Sequence, residues 1–287
     1  MTAVFTRDTR EGAQEDTGGR DQAPSPRADC IADSAGGLTF DVTDHGEAGT
    51  VHLLLRLRDS DPVDEVRLPL TPAADGRLRA ALPSSVELAE GRWNAYAVVE
   101  DGEPRRLVPG VNDLRSLVDR EPSGSRGHVS VRIPYATKQG NLSVRSWVRA
   151  PHAEVGELGI ADGVLTARAR VYGTELADGA RVEAVLRGEP ERVLCADVTT
   201  GAAELGFALR YVDLAGGRGP WDLWLLPAGS GGPRVRLARL LDDVADKKPI
   251  FTYPVTVLEH DGGSVEVGPY YTNDNDLSVR VRGVAGA

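Results

Sequence analysis

Apolar and polar side chains alternate with a period of two along most of this chain. Val51, Leu53, Leu55 and Leu57 share one side of a run whose other side carries His52, Leu54, Arg56 and Arg58. Val66, Leu68 and Leu70 alternate with Arg67 and Pro69, and Trp93, Ala95, Ala97 and Val99 line one side of a third run. The later part behaves alike, with Ala167, Ala169 and Val171, then Phe207, Leu209 and Tyr211, then Leu277, Val279 and Val281 as the apolar sets. This period, with arginine on the outward side, predicts sheets with one wet face. Asp75-Gly76, Asp101-Gly102, Asp162-Gly163, Asp178-Gly179 and Asp261-Gly262-Gly263 separate the runs as turn signals. Helical spacing is confined to residues 111–119 and 235–246, where a short helix or a long loop is expected.

The runs recur in order. Ile133-Pro134-Tyr135-Ala136-Thr137-Lys138-Gln139-Gly140-Asn141-Leu142-Ser143-Val144-Arg145 returns without a gap as Gly268-Pro269-Tyr270-Tyr271-Thr272-Asn273-Asp274-Asn275-Asp276-Leu277-Ser278-Val279-Arg280. Gly91-Arg92-Trp93-Asn94-Ala95-Tyr96 answers Gly219-Pro220-Trp221-Asp222-Leu223-Trp224. Matched motifs that return in the same order are the mark of a duplication. The expected architecture is all-β: two tandem homologous immunoglobulin-like β-sandwich domains, at 37–149 and 160–284, joined by a linker at 150–159. Trp93, Trp221 and Trp224 are expected to anchor the cores.

Residues 1–36 read as a disordered N-terminal tail, because Thr6 to Asp29 are mostly charged, small or proline and offer little apolar area to offset chain entropy. The basic and apolar regions of a signal peptide are missing there, which makes a cytoplasmic protein the expectation. The whole chain has 41% hydrophobic and 26% charged residues, and no apolar run of membrane-spanning length. Its formal net charge of -10 argues against a nucleic-acid partner. The two cysteines, Cys30 and Cys195, exclude a disulfide framework and are expected as free thiols.

Candidate chemistry is sparse. Glycine-rich phosphate or dinucleotide loops and a Gly-x-Ser-x-Gly elbow do not occur, and no two of the five histidines have the spacing of a helical zinc site. Ser125 and Ser230 sit in glycine-rich loops without the context of a nucleophile. No catalytic residue, metal site or cofactor is therefore assigned. Asp274-Asn275-Asp276 could hold a divalent cation in a tight turn, but Asn and Asp also suit a hairpin turn for conformational reasons, and that reading is preferred. The expected ligand-binding residues are Tyr135, Asn141, Tyr270, Tyr271 and Asn275, because flat aromatic faces beside short polar side chains stack on sugar rings or on a partner surface. A corner role for the tyrosines is the competing reading.

The recurring Pro-Tyr-x-Thr-x-x-Gly-Asn-Leu-Ser-Val, intact at residues 134–144, together with the Gly-x-Trp strands at 91–96 and 219–224, resembles tandem β-sandwich modules appended to actinobacterial wall-polymer and polysaccharide glycosyltransferases and glycerophosphotransferases. The resemblance covers about 37–284. This chain lacks the catalytic transferase domain, and Asp276 replaces the motif's Asn in the second copy. The resemblance implies an accessory role of binding, spacing or oligomerisation beside an enzyme. The expected function is thus a non-catalytic protein that binds a glycan-like ligand or a protein partner such as a transferase. The alternative is an enzyme of specialised metabolism with its site in the inter-domain cleft, using His128, Tyr135 and Asp274.

Overall fold

The structure is a computed structural model and describes residues 25–284 except 44, 45, 47, 119, 123–126, 202, 230, 231 and 262. Ser125, Ser230 and residues 1–24 of the expected tail lie outside the described residues.

Eleven strands come from residues 27–149. They are β1 (Arg27–Ala32), β2 (Leu38–Thr43), β3 (Val51–Leu57), β4 (Glu65–Pro69), β5 (Thr71–Pro72), β6 (Arg77–Leu82), β7 (Gly91–Val99), β8 (Arg105–Arg106), β9 (Val108–Asp113), β10 (Val129–Ala136) and β11 (Leu142–Arg149). One sheet has the order β5-β6-β2-β1-β9 and the other β10-β11-β7-β3-β4, with β8 also on β7. Both contribute to one core, in which Phe40, Leu53, Leu55, Trp93, Val144 and Trp147 are fully buried.

Ten more strands follow. They are β12 (His152–Ala161), β13 (Val164–Tyr172), β14 (Arg181–Leu186), β15 (Val193–Thr200), β16 (Glu204–Arg210), β17 (Gly219–Leu226), β18 (Val235–Ala238), β19 (Thr256–His260), β20 (Gly263–Tyr271) and β21 (Leu277–Gly283), with a single helical turn α1 (Tyr211–Leu214). They form one continuous sheet in the order β14-β15-β16-β13-β12-β18-β17-β21-β20-β19, and the β14–β17 pairing closes seven of them into a barrel. Trp221, Leu223, Val267 and Val279 lie in this second core.

The pairings match across the halves. The antiparallel β1–β2 and parallel β1–β9 pairs correspond to β12–β13 and β12–β18. The pairs β2–β6, β3–β7, β7–β11 and β10–β11 correspond to β13–β16, β14–β17, β17–β21 and β20–β21. The halves differ where a strand is interrupted. Leu70 separates β4 from β5 and leaves two sheets, whereas β15 runs unbroken from β14 to β16 and joins them.

Local chemistry explains the repeated landmarks. Gly91 and Gly219 open the tryptophan strands at φ 155° and 138°, and a Cβ on Gly91 would come within 2.6 Å of Leu57. Each indole is tied to the turn before it: Trp93 Nε1 donates to Ala89 O at 3.0 Å and Trp221 Nε1 to Gly217 O at 2.9 Å. Asp162 and Gly163, both at positive φ, form the two-residue loop between Ala161 and Val164, as the Asp-Gly signal predicts.

Several expectations are corrected. The expected tail extends to residue 36, yet residues 27–32 are β1, a strand between β2 and β9, with Ala28 and Cys30 fully buried. The expected linker, 150–159, is mostly β12, which pairs with β13 along its length. Trp224 lies on the opposite side of β17 from Trp221 and is half-buried, whereas Trp147, unforeseen, is a core residue. The helical spacing at 111–119 belongs to the end of β9 and a 3-10 turn, Arg115–Leu117. That at 235–246 is β18 followed by an irregular segment. The end of β18 and this segment cross between the halves and place Ala238 and Leu240 in the first core.

The two thiols differ sharply. Burial, aided by the Asp29 and Asp41 charges, pushes the Cys30 thiol up to about 12, while Cys195 is exposed on β15. At pH 8 the native protein should therefore alkylate at Cys195 alone, and at Cys30 only after unfolding. Intact-mass measurement checks this, and rapid double labelling of native protein would contradict the burial of β1.

Candidate functional site

The strand period directs alternate residues of β7 and β17 away from the core. Arg92, Asn94 and Tyr96 point outward from β7, and Pro220, Asp222 and Trp224 from β17. Register then sets their neighbours. Asn94 pairs with Ser143 and Asp222 with Ser278. Tyr96 pairs with Arg106 and Trp224 with Arg236. Ser143 lies opposite Tyr135 and Ser278 opposite Tyr270. Each half thus presents the same outward arrangement, an Asn or Asp at the centre with a serine, two arginines and two aromatic rings around it.

In the second half the centre is a carboxylate. Asp222 receives Arg187 Nη2 at 2.6 Å and Nε at 3.1 Å, Ser278 Oγ at 3.0 Å, and faces Arg236 Nη1 at 3.4 Å. Burial raises the Asp222 carboxyl, but the Arg187 hydrogen bonds, the Arg236 charge and the Ser278 hydroxyl outweigh it and hold the group below the ordinary carboxylate value. Arg236 also stacks over Trp224 at 4.7 Å, and Arg280 over Tyr270 at 4.0 Å. Arg187, Asp222, Trp224, Arg236, Tyr270 and Arg280, with Lys248 and Asp274, line a groove of about 490 Å³.

Of the expected ligand residues, Tyr270 lines this groove. Tyr271 points the other way and is fully buried against Phe251 and Tyr253, with its phenol pushed up by burial and by Tyr253. Asn275 is also fully buried. Its Oδ1 accepts from Lys247 N at 3.1 Å and its Nδ2 donates to Ala245 O at 3.3 Å. Tyr271 and Asn275 therefore shape the groove from behind. Tyr135 and Asn141 belong to the first half: Tyr135 stands beside Arg106, and Asn141 closes the β10–β11 turn through Thr137. The expected set thus divides between the halves.

The Asp274-Asn275-Asp276 segment adopts turn geometry. Asn275 takes φ 59°, as Gly140 takes 77° at the matching place, and Thr272 is bonded to Asp276 as Thr137 is to Asn141. Asp274 receives Arg145 Nη2 at 2.8 Å from the first half. Asp276 faces Arg236 and Arg149 at 3.3 and 3.8 Å, and burial raises its carboxyl despite both. No group of three potential metal ligands occurs among the described residues.

A second, larger groove of about 770 Å³ runs between the halves, lined by Glu121, Arg168, Arg170, Tyr172 and Arg239 among others. His128, Tyr135 and Asp274 do not meet there. His128 lines a small separate hollow with Ser130, and Asp274 lies in the groove around Asp222. Glu154, at the floor of this cleft, is engaged with His152 Nε2 at 2.7 Å and with the amides of Leu240 and Leu241.

The central residues of the outward arrangement were not anticipated from the sequence. The available signal was that Asn94 and Asp222 each follow the tryptophan of a repeated motif, and Ser143 and Ser278 each fall inside the repeated Leu-Ser-Val-Arg. Compared with known proteins, the chain matches no protein-family model and no curated protein.

Proposed function

We propose that this protein is a non-catalytic glycan-binding protein made of two duplicated, immunoglobulin-like units, acting beside a transferase that builds or decorates a polysaccharide. The matched pairings and matched outward arrangements support the duplication. The motif at 134–144 and its resemblance to modules of wall-polymer transferases support the accessory role.

The observation that carries the glycan reading is the groove around Asp222. Sugar hydroxyls both donate and accept, and their C–H faces stack on rings. Here a fixed carboxylate and three fixed guanidiniums sit beside Trp224 and Tyr270 within one concave surface. Arg187 and Arg236 are already paired with Asp222 and Asp276, so a neutral ligand can bridge these groups without stranding their charges.

Titration of the full chain with neutral oligosaccharides, followed by the Trp224 indole signal in NMR, tests this. Saturable shifts at Trp224 and Tyr270 are expected, and Tyr270→Ala should weaken binding about tenfold. Absence of any saturable response in this groove across a broad glycan panel would overturn the reading.

A further inference from the structure

The two outward arrangements differ at their centre. Asp222 in the second half is a carboxylate held by two guanidiniums and a serine. Asn94 in the first half is a neutral amide in the same frame: Arg58 Nη2 donates to Asn94 Oδ1 at 3.0 Å, Ser143 Oγ to the same oxygen at 3.2 Å, and Arg106 Nη2 to Ser143 Oγ at 3.4 Å. Arg58 corresponds to Arg187 by register, since Arg58 N donates to Arg92 O as Arg187 N donates to Pro220 O.

The consequence is electrostatic. Neither Arg58 nor Arg106 forms an ion pair with a described carboxylate, although the chain carries 43 acidic residues against 33 basic ones. The neighbouring Arg56 is satisfied by Glu65. Burial depresses Arg106; Tyr96 opposes this, and the Arg58 charge adds to it. Two guanidiniums therefore face one neutral hinge, with N–H groups left over: Arg106 uses one terminal nitrogen on Ala95 O and the other on Ser143, and Arg58 uses one on Asn94. The second half shows which charge this frame takes, because there the protein supplies a carboxylate of its own.

We propose that the outer face of the first half, centred on Arg58, Arg106 and the neutral Asn94, with Ser143 buried beneath them, is a binding site for the carboxylate of an acidic sugar. The carboxylate part rests on the comparison of the two halves, and the sugar part rests on the function proposed above. A planar carboxylate matches the fork of a guanidinium, and the site is bordered by Tyr96, whose ring carries the Arg106 and Arg56 guanidiniums at 4.9 and 5.6 Å, and by Tyr135 opposite Ser143. The two halves then take different parts of one polymer, the second half neutral units and the first half uronate units.

The test uses the full chain and its Asn94→Asp variant, which keeps the size and shape of the side chain. Each is titrated with glucuronate, glucose, capped glutamate and inorganic phosphate, and backbone and arginine side-chain NMR signals are followed. Glucuronate should shift β7, β8 and β11 signals saturably in the wild type. Asn94→Asp, which places a fixed carboxylate between the arginines, should weaken that binding about tenfold or more. Equal glucuronate affinity in wild type and variant would overturn the proposal, as would glucuronate shifts confined to the groove around Asp222. Tighter binding of phosphate than of glucuronate would overturn the carboxylate assignment, and tighter binding of capped glutamate the sugar assignment. Failure of the glycan reading shows elsewhere, as silence of Trp224 and Tyr270 toward neutral oligosaccharides, so the two failures are separable.

Discussion

Trp221→Ala and Trp93→Ala should each destabilise the protein by about 3–5 kcal/mol, the range for truncating a fully buried large aromatic. Both indoles have zero exposure and both are hydrogen-bonded to a carbonyl four residues earlier. Truncation removes the ring from the centre of a close-packed core and strands the Ala89 or Gly217 carbonyl. The turn before Trp221 is fitted to the ring: a Cβ on Gly217 would come within 2.4 Å of the indole. Trp224→Ala serves as the contrast. Its ring lies on the outer side of the same strand under Arg236, and its loss should cost about 1 kcal/mol, the scale of one exposed cation–π contact. Urea unfolding followed by far-UV circular dichroism measures all three. Equal losses for Trp221 and Trp224 would contradict the sidedness of β17.

Glu154→Ala should cost about 2–4 kcal/mol, because it leaves buried donors unpaired. The carboxylate accepts the Leu240 amide at 2.8 and 3.0 Å, the Leu241 amide at 2.9 Å and His152 Nε2 at 2.7 Å. These bonds hold the segment that carries Ala238 and Leu240 into the first core. The segment is held further on by Lys247, fully buried, with Nζ on Asp242 Oδ1 at 2.7 Å and on Val244 O at 2.8 Å. Releasing it should expose Arg239 and Lys247 to trypsin, so Glu154→Ala should be cut within 239–248 faster than wild type under native conditions. Glu154→Gln retains an acceptor and should fall between them. Unchanged cleavage in Glu154→Ala would show that Glu154 does not fasten the segment.

The strands with bulky alternating residues were legible, because burial of one face leaves its period in the sequence. The repeated hairpin motif lies in β10–β11 and β20–β21, and the Gly-x-Trp motif in β7 and β17. What was missed has a physical cause. β1 buries Ala28, Cys30 and Ala32, small side chains that give little signal among charged neighbours. β12 buries His152, Ala153 and Val155 and then exposes much of its remainder, so it reads as a linker. Trp147 has an arginine, Arg282, at the matching place, so the repeat drew no attention to it. The outward arrangement gathers residues from four strands, and only register brings them together.

Amide hydrogen exchange on the intact chain tests the account at its base, which is that two matched strand sets are fastened by residues 238–247. The slowest exchange is expected in two separate groups, β3, β7 and β11 around Trp93 and β14, β17 and β21 around Trp221. The β1 amides and the Leu240 and Lys247 amides should be protected well above those of the exposed turns. Exchange of β1 and of residues 239–247 at the rate of open loops, or protection in only one of the two groups, would contradict it.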